Sequence, residues 1–262
     1  MAFTFISGAT GGIGKAFAFS CAKKGYDLFL TARSLDKLQA LKSQLNAEFP
    51  KVNIEICPCE MTDDLSRKTM LIFIKGKDIF FDRIINVAGA DIQKAFKEYT
   101  YEKLLFQIRV NCESTALVTR MLLERKEKDT ELITIGSMSG VTPMPFFAVY
   151  SASKAFLESL FISLHYELKK EGVKVTVVLP GGVPTRPDVI DAIKKQGLWG
   201  KLSAKSPAFV AEKSLNAVKK NKLRYVPGFF NNFLYFTMKL IPLRWQLRFI
   251  ARRWSKLCKD AF

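Results

Sequence analysis

A tyrosine and a lysine stand four residues apart in "FFAVYSASKAF", at Tyr150 and Lys154. On a helix that spacing puts both side chains on one face. A free phenol, with a pKa of about 10, is a poor proton acceptor at neutral pH, and a nearby ammonium stabilises its anion and lowers that value. The pair therefore suits acid/base work at an oxygen, such as the alkoxide left when a ketone is reduced. The same spacing also occurs on solvated helix faces, so the pair needs a setting. A second stretch, "ISGATGGIGKAF" over 6–17, offers one: four glycines within seven residues, between an apolar run and a helical pattern. Glycine there lets backbone N–H groups approach a phosphate, and the N-terminus of the following helix adds a partial positive charge.

Both stretches need elements to hold them. Strand-like runs at 3–6, 27–32, 52–57, 83–87, 131–135 and 174–179 alternate with helical patterns at 13–24, 34–49, 64–75, 101–123 and 151–170. Such alternation implies βαβ units, one parallel sheet and helices on both faces. The expected fold class is α/β, a Rossmann-type doubly wound parallel sheet forming a single domain, with a helical, basic C-terminal extension. The glycine turn then lies at the carboxyl end of the first strand, facing the ligand crevice of such a sheet. The expected division is a catalytic domain over 1–224, with a substrate loop at about 186–205, and an extension over 225–262.

Six motifs in order resemble those of the short-chain dehydrogenase/reductase family. They are the turn Ser7-Gly8-Ala9-Thr10-Gly11-Gly12-Ile13-Gly14, Asn86-Val87-Ala88-Gly89 after the fourth strand, and Asn111 in "RVNCEST". Ser137 in "TIGSMSG", Tyr150 to Lys154, and the turn Pro180-Gly181-Gly182-Val183-Pro184-Thr185 complete the set. The match covers residues 3 to about 190. The resemblance implies that Tyr150 is the acid/base and that Lys154 tunes it and holds the nicotinamide ribose. Ser137 would hydrogen-bond the substrate oxygen, and Asn111 would hold a water in a proton relay behind Lys154. Ser139 competes with Ser137, but it stands two residues nearer Tyr150 than the family spacing. Cofactor contacts are expected from Gly8, Thr10, Gly11, Gly12, Ile13 and Gly14, from Asn86, Ala88 and Gly89, from Tyr150 and Lys154, and from Pro180, Gly181, Val183 and Thr185.

The cofactor expected is NADP. No acid ends the second strand, where NAD enzymes bind the ribose 2′-hydroxyl; Arg33 and Ser34 stand there instead. A guanidinium pairs well with a 2′-phosphate, and Lys37 could assist. Two positions depart from the family pattern. Glu60-Met61 occupies the place of an Asp beside the adenine, and Gly136 replaces a common Ser.

Apolar residues flank the expected pocket: Met144, Phe146 and Phe147 before the tyrosine, and Ile190, Ile193, Leu198 and Trp199 in the later loop. They favour a hydrophobic ketone or alcohol, steroid-like or lipid-like. Within the family the sequence looks most like the branch of 17β-hydroxysteroid dehydrogenases and very-long-chain 3-oxoacyl-CoA reductases. A 3-oxoacyl-CoA or acyl-carrier reductase is the alternative, and a non-catalytic NADP-binding membrane or partner module a second.

The net charge of +17 is uneven: from 201 to 262 there are 14 Lys/Arg and 2 Asp/Glu. In "LRWQLRFIARRWSKL" the residues Leu243, Leu247, Ile250, Trp254 and Leu257 form an apolar stripe, with Arg244, Arg248, Arg252 and Lys256 on another face. Two readings stay open: an interfacial membrane anchor, or a helix packed on the domain or on a second subunit. No recognition motif accompanies the charge, so nucleic acid is not expected as a partner. The resemblance implies a homodimer or homotetramer built on the Asn111 and Tyr150 helices. Five unpatterned cysteines and the single His165 offer no ligand set for a metal and no His-based triad. Reduced thiols, no basic and apolar leader before Phe3, and no long apolar run predict a cytoplasmic chain, peripheral at a membrane surface if the anchor reading holds.

Overall fold

A computed structural model describes residues 2–255 of the chain. The elements run β1 (Ala2–Ser7), α1 (Gly12–Ala22), β2 (Leu28–Ala32), α2 (Leu35–Glu48), β3 (Ile54–Pro58), α3 (Asp64–Gly76) and β4 (Phe80–Asn86). They continue as α4 (Tyr101–Ile108), α5 (Ser114–Leu123), β5 (Lys126–Ile135), α6 (Ala148–Glu167) and β6 (Lys174–Val178). The C-terminal part adds α7 (Pro187–Lys195), α8 (Gly197–Ser203), α9 (Pro207–Lys219), β7 (Arg224–Tyr225), α10 (Phe229–Leu240) and α11 (Leu243–Trp254).

The strands form one parallel sheet in the order β3-β2-β1-β4-β5-β6-β7. The order reverses between β1 and β4, which opens a crevice at the carboxyl ends of those strands. Successive side chains alternate between the two faces. Ile6, Leu30 and Ile133 pack on one face with Phe17 of α1, Leu41 of α2 and Leu215 of α9. Phe5, Phe29 and Phe81 meet on the other face at 5.8 Å between ring centres, under α3, α5 and α6. Each is fully buried, and burying such a ring contributes about 1.5–3 kcal/mol.

At the opposite end of the sheet, Arg83 donates from Nε to Glu131 at 2.8 Å and from Nη1 to the Thr4 hydroxyl at 3.0 Å, all three buried. His165 bonds the Val175 carbonyl at 2.7 Å, tying α6 to β6.

Several expected elements change. The continuous helix at 101–123 is broken by a π turn at Arg109–Glu113. The fifth strand starts at Lys126 rather than at 131: Phe81 pairs with Lys126 and Arg83 with Glu131, and the extra residues between them bulge, with Asp129 at a positive φ of 63°. The loop at 186–205 is mostly two helices, α7 and α8. The short β7 extends the sheet at a place where no strand is expected from the sequence.

Candidate active site

The glycine turn follows from local sterics. Gly8 adopts a φ of +63°, a left-handed conformation that side chains resist. A Cβ on Gly14 would strike the Gly8 carbonyl, so the turn closes tightly on the start of α1. No side chain caps α1, and its first turn holds no acid. Its first N–H groups therefore face the crevice without a side-chain partner, the arrangement an anionic diphosphate needs. The other long helices with polar N-caps, such as Ser34 for α2 and Asp63 for α3, are capped in the ordinary way. Ser7, buried at the end of β1, accepts from the N–H groups of Val87 and Ala88 at 3.0 and 3.1 Å. That hydroxyl locks the β1 and β4 turns together across the switch point.

A crevice of about 980 Å³ runs from this turn to the C-terminal helices. Gly8, Thr10, Gly11, Gly12, Ile13 and Gly14 line it, as do Ala88, Gly89, Pro180, Gly181, Val183 and Thr185. Arg33, Ser34 and Lys37 stand at the rim beyond β2, with Glu60 and Met61 opposite. Arg33 is exposed and has no ion-pair partner among the described residues. Ser34 accepts from the Lys37 N–H at 3.3 Å, which fixes the turn that presents both cations. The Glu60 carboxylate accepts from the backbone and hydroxyl of Thr62 at 3.1 and 2.9 Å, so its side chain braces its own loop. Asn86 does not line the crevice. It is buried beneath it, where its amide donates to Thr119 at 2.8 Å and Thr134 at 3.4 Å and joins β4 to α5 and β5.

Tyr150 and Lys154 rise from the first turns of α6, and Ser137 follows β5; all three line the same wall. The Ser137 hydroxyl lies in hydrogen-bond reach of the Tyr150 phenol and accepts from the Ser139 N–H at 3.1 Å. Ser139 lines the crevice too, but its backbone serves to hold Ser137. Lys154 is 6% exposed, donates to the Ile135 carbonyl at 2.9 Å, and holds its ammonium 5.7 Å from the centre of the Tyr150 ring.

The electrostatics differ from the sequence expectation. Burial pushes the Tyr150 phenol up to about 12; the Asp91 carboxylate adds to the rise, and the Ser137 hydrogen bond and the Arg186 charge oppose it. Burial also brings Lys154 down to about 8, against the pull of Asp91 and Cys112. Lys154 turns toward Ile135, so loss of water outweighs its attraction for a tyrosinate. The phenol is thus held in its acid form at neutral pH.

Asn111 is fully buried behind this wall, in the π turn. Its carbonyl accepts from the Ala90 N–H at 2.7 Å, and its amide donates to the Ala90 carbonyl at 2.9 Å and to Ser153 at 2.8 Å. Both amide protons are used, so the side chain clamps the loop after β4 to α6. Gln107 and Tyr99 brace the same loop through the Ile92 carbonyl. Tyr99 and Gln107 belong to no motif, and the motifs that contain Ser7 and Ser153 do not signal these bonds. Nor does any motif signal the bridge across the crevice mouth, where Arg186 donates to Asp91 at 2.9 Å and to Asp188 at 3.1 Å.

The substrate end of the crevice is apolar. Met144, Phe147, Ile193 and Trp199 line it as expected, joined by Leu234, Met238, Ile250 and Trp254. Phe147 packs 4.6 Å from Trp254. Ile190, Leu198 and Phe146 do not line it; Leu198 is 73% exposed, and Phe146 sits in a turn with a φ of 67°. Of the apolar stripe on α11, Ile250 and Trp254 pack inward, Leu243 stays half exposed, and Leu257, like Lys256, lies outside the described residues.

A glycine turn at the switch point of a doubly wound parallel sheet, opening on a long crevice, is the architecture of a Rossmann-type domain. The model of the short chain dehydrogenase family matches residues 2–190, and the chain belongs to that family of oxidoreductases. A very-long-chain 3-oxoacyl-CoA reductase-like protein of Arabidopsis thaliana is 31% identical over 264 residues, covering 97% of this chain and 82% of that one. The very-long-chain 3-oxoacyl-CoA reductase of Vanderwaltozyma polyspora is 31% identical over 188 residues, 68% of this chain and 54% of that one. The chain thus spans about half the length of several curated relatives it matches. Among solved structures, one from work on 7beta-hydroxysteroid dehydrogenase stereoselectivity superposes with a TM-score of 0.84 at 22% identity, over 95% of this chain and 96% of that one. A short-chain dehydrogenase from Sphingobium yanoikuyae in complex with NADPH gives 0.76 at 23% identity, over 100% and 97%. At these identities the solved structures bear on the fold.

Proposed function

We propose that the chain reduces a ketone on a hydrophobic, lipid-like substrate with NADPH, using Tyr150 as the proton donor. The observation that carries this reading is the convergence of Ser137, Tyr150 and Lys154 on one wall between a phosphate-ready glycine turn and an apolar chamber. The nicotinamide supplies a hydride to the carbonyl carbon when bound. Ser137 donates to the carbonyl oxygen and stabilises the charge that develops there. Tyr150 then gives its proton to that oxygen, and the alcohol leaves. Lys154 holds the ribose and passes a proton toward the tyrosine, and Asn111 keeps the loop and α6 in register behind it. The glycine turn, Ala88, Gly89 and the turn from Pro180 to Thr185 hold the dinucleotide. Arg33, with Ser34 and Lys37, takes the 2′-phosphate, which favours NADP over NAD.

Within hydrophobic ketones, the Arabidopsis relative, similar across nearly the whole chain, favours a 3-oxoacyl thioester over a steroid. A homodimer built on α4, α5 and α6 fits the exposed Tyr101, Ile108, Leu117 and Phe156. We assign the C-terminal helices to peripheral membrane contact, through a face identified below. The test is consumption of NADPH against 3-oxoacyl-CoAs, keto-steroids and small polar ketones. Turnover confined to a hydrophobic class supports the reading. Turnover of small polar ketones alone, or none despite tight NADPH binding, contradicts it.

A further inference from the structure

The stripe singled out on α11 is its inner face, and a different set of residues points outward. On α10, Phe229, Phe233, Phe236 and Leu240 are 90%, 57%, 62% and 83% exposed. Their spacing of four, three and four puts them on one side of the helix, along about 16 Å of its length at 1.5 Å per residue. The opposite side is occupied: Asn231 and Tyr235 are buried, and Leu234 and Met238 line the crevice. On α11, Trp245 is 67% exposed and shares a face with Arg248 and Arg252, three and seven residues on. Leu243 and Ile241, at the joint of the two helices, are half exposed as well.

Charge identifies what covers this surface. Between 213 and 255 the chain has ten Lys/Arg and no Asp/Glu. A second copy of the chain would bring Arg248 and Arg252 toward like charges, which disfavours self-association. A row of Phe and Leu flanked by Trp and arginines instead matches the bilayer interface, where apolar groups enter the acyl boundary and cations meet anionic headgroups. We propose that the outward face of α10 and α11 docks on the surface of an anionic phospholipid bilayer. No helix among the described residues is long and apolar enough to cross a membrane, so the contact is peripheral. The same two helices wall the substrate chamber from inside, and Arg253 lies over Trp199 of α8, 5.4 Å from its ring centre. Docking therefore places the substrate chamber directly behind the helices that meet the bilayer. The docking deepens the membrane contact assigned under the proposed function, and that last consequence rests on the catalytic reading as well.

The experiment is co-sedimentation of the full chain with vesicles of phosphatidylcholine alone, and with vesicles in which phosphatidylserine replaces part of it. Binding is expected to the anionic vesicles, weakening as salt rises. The combined variant Phe233→Ser, Phe236→Ser and Trp245→Ser touches no crevice residue. It should lose about tenfold or more in vesicle affinity while its thermal midpoint and NADPH binding stay unchanged. Arg248→Glu with Arg252→Glu should remove the preference for anionic lipid. Absence of binding by the unaltered chain overturns the proposal, as does undiminished binding by the combined variant. So does a shift of that variant from dimer to monomer with vesicle binding retained, or loss of duplex DNA binding in its place. NADPH binding reports on the catalytic reading separately, so the two can fail independently.

Discussion

Lys154 reaches the carbonyl of Ile135, 2.9 Å away, while its ammonium stays 5.7 Å from the Tyr150 ring centre. The lysine is thus anchored to β5, and burial, rather than its charge, sets the acidity of the phenol. With Tyr150 near 12 and Lys154 near 8, only the lysine titrates in the neutral range. Its folded value is depressed, so it is charged below about 8 and neutral above. The value of kcat/KM for ketone reduction, which reports the free enzyme, should be flat at neutral pH and fall above about 8. A pH profile of initial rates checks this, and a plateau extending unchanged past 10 would count against it.

Asp91 raises both values. Asp91→Asn should therefore move the alkaline limb for reduction, and the rise in alcohol oxidation, to lower pH. The Asp91–Arg186 bridge is partly exposed, so its removal should cost at most about 1 kcal/mol of stability. Paired pH profiles and denaturant curves of the variant test both statements.

Arg33 faces the rim beyond β2 with no acidic partner among the described residues. Removing a charge-assisted contact to a phosphate costs about 1.5–3 kcal/mol. Arg33→Ala should weaken NADPH binding by about tenfold to a hundredfold and leave NADH binding nearly unchanged. Titration calorimetry with both cofactors measures the ratio, and equal losses for the two would refute the assignment.

Far from the crevice, Arg83 and Glu131 pair at 2.8 Å with both side chains buried. Truncating Glu131 leaves the buried Arg83 with only the Asp82 carboxylate, 3.8 Å away, and costs up to about 3–5 kcal/mol. Glu131→Ala should lower the unfolding free energy from urea titration by that much while NADPH affinity of the folded fraction holds. A change below about 1 kcal/mol would mean water reaches the pair.

Much of this arrangement was legible in the sequence, and the reasons differ by residue. The order of strands and helices followed from apolar periodicity, and the glycine turn from the steric demands on Gly8 and Gly14. Tyr150 and Lys154 were legible because four residues on a helix settle their proximity. The Asp91–Arg186 bridge joins residues 95 apart, which no local pattern announces. Asn86 belongs to a recognisable motif, yet its amide points into the core, and only the packing of α5 and β5 reveals that. The π turn at Asn111 leaves no mark on hydrophobic spacing. On α11 the stripe was visible, but which of its faces meets the domain depends on Phe147, about a hundred residues earlier in the chain.

The central claim is that Tyr150 gives the proton in a hydride transfer carried out by this crevice. The most direct measurement is the single-turnover rate of NADPH consumption by Tyr150→Phe, beside the unaltered chain, on whichever ketone the panel identifies. The variant keeps the ring, and its NADPH affinity should be within a few fold of the original. Turnover should fall by about a hundredfold or more, the scale of general acid catalysis. Turnover within a few fold of the original, with NADPH bound equally well, would contradict it.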